Sequence, residues 1–113
     1  MKILTIPISV DELKIMSANM FGDMVKAVVD TERELVAVDA DLHSDLEALL
    51  LADGSRRKNL WGVNFYPDVE GDDFVEIDSM INLRPSEGNM SRWVKDGSVR
   101  RKIISVVAKW VER

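Results

Sequence analysis

MVKAVVD-TERE-LVAVD, running from Met24 to Asp39, is the stretch that decides the fold. Its two outer segments are rich in valine, a β-branched residue that suits the pleated surface of a strand. The four polar residues Thr31–Glu34 between them have the right length for a hairpin loop. We therefore expect two antiparallel strands here and an antiparallel sheet built around them.

A helix is expected directly after this hairpin. Its leucines recur at the i, i+4, i+7 and i+8 spacing of one helix face: Leu42, Leu46, Leu49 and Leu50. Asp41 or Ser44 is placed to cap its first turn, and Gly54 is placed to end it. A glycine just past the last periodic residue is the usual stop signal.

Two further helices are expected near the ends of the chain. Ser9–Glu12 has the sequence of a capping box and begins a helix that we expect Gly22 to end. Apolar residues at helical spacing over Val99–Val111 indicate a closing helix, capped by Asp96 or Ser98.

Three more extended segments complete the predicted sheet. Lys2–Ile8 contains Pro7 and suits an edge strand or a short arm, and Leu60–Tyr66 is an apolar strand closed by Pro67. Phe74–Leu83 alternates, with one set of side chains facing the core and the other facing solvent: Val75, Ile77, Ile81 and Leu83 against Glu76, Asp78 and Asn82. The order β-α-β-β-α-β-β-α predicts one α+β domain over residues 1–113, a single layer of about five antiparallel strands covered on one face by three helices.

Composition excludes several classes of protein. The chain has no cysteine, which removes disulfides and thiolate metal sites, and its N-terminal apolar run is too short to span a bilayer. We therefore expect a cytoplasmic protein without membrane contact. Its net charge of −5 argues against nucleic-acid binding. No Gly-rich phosphate or dinucleotide motif is present, so no cofactor is expected.

The chain resembles a small prokaryotic family of unknown function, DUF5674, nearly end to end. The matching stretches are Phe21–Asp30, Leu42-His43, Leu60–Asn64, Tyr66-Pro67, Asp78–Ser86, Gly88-Asn89 and Ser91-Arg92. Met90 and Trp93 depart from the pattern, where a basic residue and a glycine are expected. The resemblance implies one small soluble domain and brings no activity with it.

The segment Arg84–Ser98 is the first candidate site, because it has no helical or strand periodicity and loops of this length are usually functional or mobile. Its side chains supply guanidinium, hydroxyl and amide donors suited to phosphate or carboxylate: Arg84, Ser86, Asn89, Ser91 and Arg92. The competing interpretation is structural, with the two arginines paired to Glu76 and Asp78.

The second candidate site surrounds His43. Asp39, Asp41, His43 and Asp45 alternate and would line one face of an extended segment, as ligands of a divalent metal. His43 is also a candidate general base, with Asp78 as a further catalytic candidate. If a helix begins near Leu42, Asp41 is a cap instead and the alternation is broken.

Three functions follow from these patterns. The favoured one is a binding module that holds a small anionic ligand or a phosphorylated partner at Arg84–Ser98. The second is a small hydrolase, metal-assisted or not, that uses His43 with nearby carboxylates. The third is a protein-interaction or regulatory module that works as a homo-oligomer, for example a homodimer, through Met90, Trp93 and exposed strand edges.

Overall fold

The valine-rich hairpin forms the centre of the sheet in the computed structural model, which describes residues 1–113. The elements in chain order are β1 (Lys2–Ile3), β2 (Ile8–Ser9), α1 (Val10–Ala18), β3 (Val25–Asp30), β4 (Leu35–Val38), α2 (His43–Ala52), β5 (Leu60–Phe65), β6 (Val75–Glu76), α3 (Gly97–Trp110) and β7 (Val111–Glu112). Short 3-10 helices occupy Arg57–Asn59, Gly71–Phe74, Met80–Asn82 and Pro85–Glu87.

Five of these strands form an antiparallel sheet in the order β1-β4-β3-β5-β6. β3 is central, because Asp30 pairs with Leu35 of β4 on one side and with Leu60 of β5 on the other. The predicted α+β class, with five antiparallel strands and three helices, is confirmed. The first strand is shorter than expected, because Ile8–Ser9 leaves this sheet and pairs in parallel with β7.

The helices lie on both faces of the sheet, and the expectation of one covered face was wrong. Alternate residues of β5 enter two separate cores: Trp61 belongs to the core that α1 and α3 help to form, and Leu60 belongs to the core that includes residues of α2. The reason is visible in β3, where Ala27, Val28 and Val29 are all fully buried. A strand covered on both faces is apolar on consecutive positions and not only on alternate ones.

The largest difference between the predicted and the observed elements is in Phe74–Leu83, which was expected to be one strand. Only Val75–Glu76 pairs with β5, and the chain then turns into a 3-10 helix at Met80–Asn82. Asn82, expected on the solvent face, is fully buried, whereas Leu83 is exposed. The Asn82 amide donates to the carbonyl of Gly62 at 3.0 Å, and its oxygen accepts from the Gly62 N–H at 2.8 Å. At the edge of β5, the Asn82 side chain thus supplies the donor and the acceptor that the backbone of a neighbouring strand would supply.

Helix boundaries follow the predicted caps closely, with two exceptions. Ser9 accepts from the Glu12 N–H, and Asp96 accepts from the Ser98 N–H, as expected. Helix α1 ends at Ala18, before the expected Gly22, and α2 begins after Leu42 without a side-chain cap. No helix in the chain combines the length and the apolar character that crossing a bilayer requires.

Candidate ligand-binding site

Arg84, the first residue of the predicted anion loop, is buried in the protein. Its Nε donates to the Ile81 carbonyl at 3.1 Å, its Nη2 donates to the Leu60 carbonyl, and its guanidinium stacks on the Trp61 ring at 4.3 Å. Burial lowers the pKa of the guanidinium. Arg84 therefore anchors the start of β5, which is a structural role.

Arg92 lies in different surroundings. Its Nε is 2.6 Å from an Asp78 carboxylate oxygen, and its side chain is 54% exposed. Arg92 lines a surface cavity to which Arg84 does not contribute, so the two guanidinium groups do not share it. The expected convergence of Arg84 and Arg92 is not found. The alternative pairing of Arg92 with Asp78 is present.

The other donors of the loop mostly hold the loop itself. Asn89 is 6% exposed; its amide donates to the carbonyls of Asn82 and Trp93, and its oxygen accepts from the Lys95 N–H. Ser91 Oγ accepts from the Trp93 N–H at 3.2 Å. Ser86 is exposed and makes no side-chain hydrogen bond. The segment is not wholly irregular: it contains the 3-10 helix Pro85–Glu87 and an antiparallel backbone bridge between Arg84 and Asn89, and α3 begins at Gly97.

A pocket of about 390 Å³ lies on the α2 face of the sheet, and we call it the His43 pocket. Strands β3 and β5, the start of α2, the segment after β6 and Arg92 contribute its wall. The lining residues are Met24, Lys26, Leu42, His43, Ser44, Asn64, Tyr66, Glu76, Asp78, Ser79, Met80, Ile81 and Arg92. It brings His43 and Asp78, the two catalytic candidates, together with one residue of the predicted anion loop.

His43 is the first residue of α2 and is 9% exposed. Its Nε2 is 2.8 Å from the Val63 carbonyl, an acceptor, so the hydrogen-bond pattern assigns the ring proton to Nε2 and leaves Nδ1 as an acceptor. Nδ1 has no partner in the protein. Burial lowers the pKa of His43, and the bond to Val63 opposes that effect only in part. Burial therefore favours the neutral form of the imidazole.

Gly62 makes room for this arrangement. A Cβ at this position would lie 2.5 Å from Ser79 Cβ and 3.2 Å from His43 Cδ2. His43 and Ser79 therefore pack directly on the backbone of β5. A glycine inside an apolar strand is a known sign of such close approach, and it is the signal in the sequence that could have located the pocket.

Asn64 carries an unsatisfied polar atom in the pocket wall. It is 5% exposed; its amide donates to Glu76 Oε1 at 2.9 Å, and its Oδ1 is buried without a partner. Exchanging the amide nitrogen and oxygen of Asn64 would place two acceptor oxygens against each other. The hydrogen bond to Glu76 therefore identifies which amide atom is Oδ1. Leaving such an acceptor unpaired costs about 1–3 kcal/mol.

Glu76 and Tyr66 complete the acidic side of the pocket. Tyr66 donates its hydroxyl to Glu76 Oε1 at 2.9 Å. Desolvation and this hydrogen bond raise the pKa of Tyr66 to about 12. Glu76 Oε1 thus accepts from both Asn64 and Tyr66, which fixes the carboxylate at the pocket edge.

Lys26 supplies a positive charge that is in no direct contact with a carboxylate. It forms none of the ion pairs of the protein, and its ammonium lies 5.1 Å from the centre of the Phe21 ring. Lys26 and Asn64 are direct partners across β3 and β5, so both side chains rise from the same point of the sheet. Sequence reasoning missed both residues, although each is a lone polar residue inside an apolar strand.

The predicted metal ligands are dispersed. Asp39 lies 3.7 Å from the N-terminal ammonium, Asp41 and Asp45 are exposed, and His43 is buried against Val63. No group of three or more His, Cys, Asp or Glu side chains is placed to hold a metal ion. The helix that begins at His43 breaks the alternation on which the metal hypothesis depended.

Met90 and Trp93, the residues proposed for self-association, are 70% and 51% exposed. The guanidinium of Arg100 stacks on the Trp93 ring at 4.2 Å and also donates to the Val94 carbonyl at 2.7 Å. One side of the Trp93 indole is therefore covered by the Arg100 side chain.

Comparison with known proteins agrees with the resemblance seen in the sequence. The family described as "Protein of unknown function (DUF5674)" matches residues 2–110 of the 113-residue chain. No curated protein and no solved structure matches it.

Proposed function

Since the chain belongs to the DUF5674 family, whose function is unknown, we propose from the pocket's chemistry that it binds a small ligand with an anionic group in the His43 pocket. The observation that carries this proposal is the Lys26 ammonium, which has no carboxylate partner and lines the same cavity as Arg92. This keeps the function expected from the sequence but places its centre on β3 and β5 instead of Arg84.

The two cations offer an anion different kinds of contact. The ammonium of Lys26 is a mobile point charge, whereas the planar guanidinium of Arg92 suits bidentate binding of a carboxylate or phosphate. Only Arg92 Nε is bonded to Asp78, so the other nitrogens of the fork remain available. A cavity of about 390 Å³ is within the range of pockets that hold small molecules.

Isothermal titration calorimetry with two probes tests the proposal. The probes are 4-methylpentanoate, a carboxylate with an apolar tail, and inorganic phosphate, which stands for a phosphorylated ligand. We expect saturable binding of at least one probe, weakened about tenfold by Lys26→Met, because the variant loses a charge-assisted contact.

Lys58→Met is the matched control, because Lys58 is exposed, lies outside the pocket and forms no ion pair. Both variants change the net charge by the same amount, so a general electrostatic effect would weaken probe binding equally in the two. Equal affinities of the two variants, or no binding of either probe to the natural chain, would overturn the proposal.

Hydrolysis is a second candidate function, favoured by the free Nδ1 of His43 and by Asp78, which lines the same pocket. In this reaction Nδ1 takes a proton from water, the water oxygen adds to an ester carbonyl, and the departing alcohol receives the proton. Steady-state hydrolysis of p-nitrophenyl acetate by the natural chain and by His43→Gln measures it. Equal rates for the two proteins would exclude His43 as the base.

A further inference from the structure

We propose that the ligand of the His43 pocket is a zwitterion, an α-amino acid with an apolar side chain. This inference rests on the proposed function and adds to it a second recognised group, an ammonium. The support comes from the hydrogen-bond acceptors and carboxylates of the pocket, with which an anionic group of the ligand cannot pair.

Two hydrogen-bond acceptors in the pocket wall lack a donor. Asn64 Oδ1 is buried and unpartnered, and His43 Nδ1 is unpaired because Nε2 is engaged by Val63. A carboxylate or a fully ionised phosphate has no proton to give either atom. A ligand ammonium supplies three donors, and reaching Asn64 Oδ1 requires a side-chain movement in the wall.

The charges of the pocket are balanced, which also favours a ligand of zero net charge. Lys26 and Arg92 contribute two positive charges, and Glu76 and Asp78 contribute two negative ones, while burial favours the neutral form of His43. A ligand with only negative charge can use the two cations but offers no opposite charge to the two carboxylates. A zwitterion places each of its charges against an opposite one.

Apolar side chains at the pocket favour a ligand that also carries an apolar group. Leu42 is 54% exposed and Met80 is 63% exposed, and Met24 lines the wall with them. Methionine adapts its shape to irregular apolar groups. An aliphatic ligand side chain would remove this surface from water, which strengthens binding.

Calorimetry with three related probes tests the inference on the natural chain. L-leucine carries both charged groups and the apolar tail; 4-methylpentanoate lacks the ammonium, and 3-methylbutylamine lacks the carboxylate. We expect L-leucine to bind at least about tenfold more tightly than either of the others. In Asn64→Leu, whose folding is checked by its NMR spectrum, that preference over 4-methylpentanoate should fall to about twofold or less.

Each other result is decisive. Equal binding of L-leucine and 4-methylpentanoate overturns the zwitterion and leaves the proposed anionic ligand standing. Equal binding of L-leucine and 3-methylbutylamine overturns both, because the carboxylate then contributes nothing. Absence of binding by all three probes also overturns the zwitterion. The comparison of probes on the natural chain decides the question even if Asn64→Leu does not fold.

Discussion

His43 is the residue whose chemistry the pocket changes most. Desolvation lowers its pKa below the ordinary value of 6.5. Because the chain contains one histidine, its imidazole proton resonances in an NMR pH titration need no assignment by mutation. We expect a midpoint below that of an unfolded control peptide with the same local sequence. A midpoint at or above the peptide's value would show that the ring is solvated or paired with Asp78.

The same shift makes stability depend on pH. Since the folded pKa is lowered, the unfolded chain takes up the proton first, and the free energy of unfolding falls as pH drops below about 6.5. The loss is complete only below the folded pKa. Urea unfolding at a series of pH values should therefore show a steeper decline for the natural chain than for His43→Gln. Parallel curves would mean that His43 does not contribute.

Arg84 and Arg92 should respond differently to the same substitution. Arg84→Lys cannot keep the bonds to both Leu60 and Ile81 or the stack on Trp61, so we expect a loss of about 2 kcal/mol or more in the free energy of unfolding. Arg92→Lys changes a half-exposed ion pair and should cost less than about 1 kcal/mol. Urea denaturation measures both, and equal losses would contradict the assigned roles.

The sequence could not separate these two arginines. Both lie in an aperiodic segment, and what distinguishes them is contact with Leu60 and Trp61, more than twenty residues earlier in the chain. Burial of a charged side chain depends on long-range packing, which local patterns do not encode. His43 and Asp78 could be named as candidates because their chemistry is local. Their proximity could not be foreseen.

At the scale of elements, the edge of β5 depends on Asn82. Its amide donates to the carbonyls of Gly62 and Arg92, and its oxygen accepts from Gly62. Asn82→Ala leaves these buried groups unpaired and should lower the free energy of unfolding by about 3 kcal/mol. Asn19→Ala, on an exposed residue without side-chain bonds, should change it by less than about 0.5 kcal/mol. Similar losses in chemical denaturation would refute the role of Asn82.

The elements that could be predicted are those with a local signal. The hairpin, the α2 face that buries Leu46 and Leu50, and the caps Ser9 and Asp96 are each specified within a few residues. The strand after Phe74 was overextended because Asn82 fits the polar side of an alternating pattern equally well. Its buried position depends on Gly62, twenty residues away.

At the scale of the whole molecule, strand order and the two-sided burial of the sheet decide where the pocket forms. β3 lies between β4 and β5, which brings Lys26 beside Asn64. Helix α2 packs on that face and delivers His43 from its first turn. Antiparallel pairing between β3 and β5 joins residues thirty to forty positions apart in the chain. The pocket is therefore a product of topology and has no continuous motif in the sequence.

The central claim is that the His43 pocket binds a small ligand, and two-dimensional ¹H–¹⁵N NMR during titration with L-leucine tests it most directly. We expect saturable shifts in the backbone amides of Lys26, His43, Asn64 and Arg92, with one dissociation constant for all of them. Amides beside Arg84 and in α3 should remain unchanged. Shifts that are absent, unsaturated, or centred on Arg84 and the N-terminus of α3 would contradict the account.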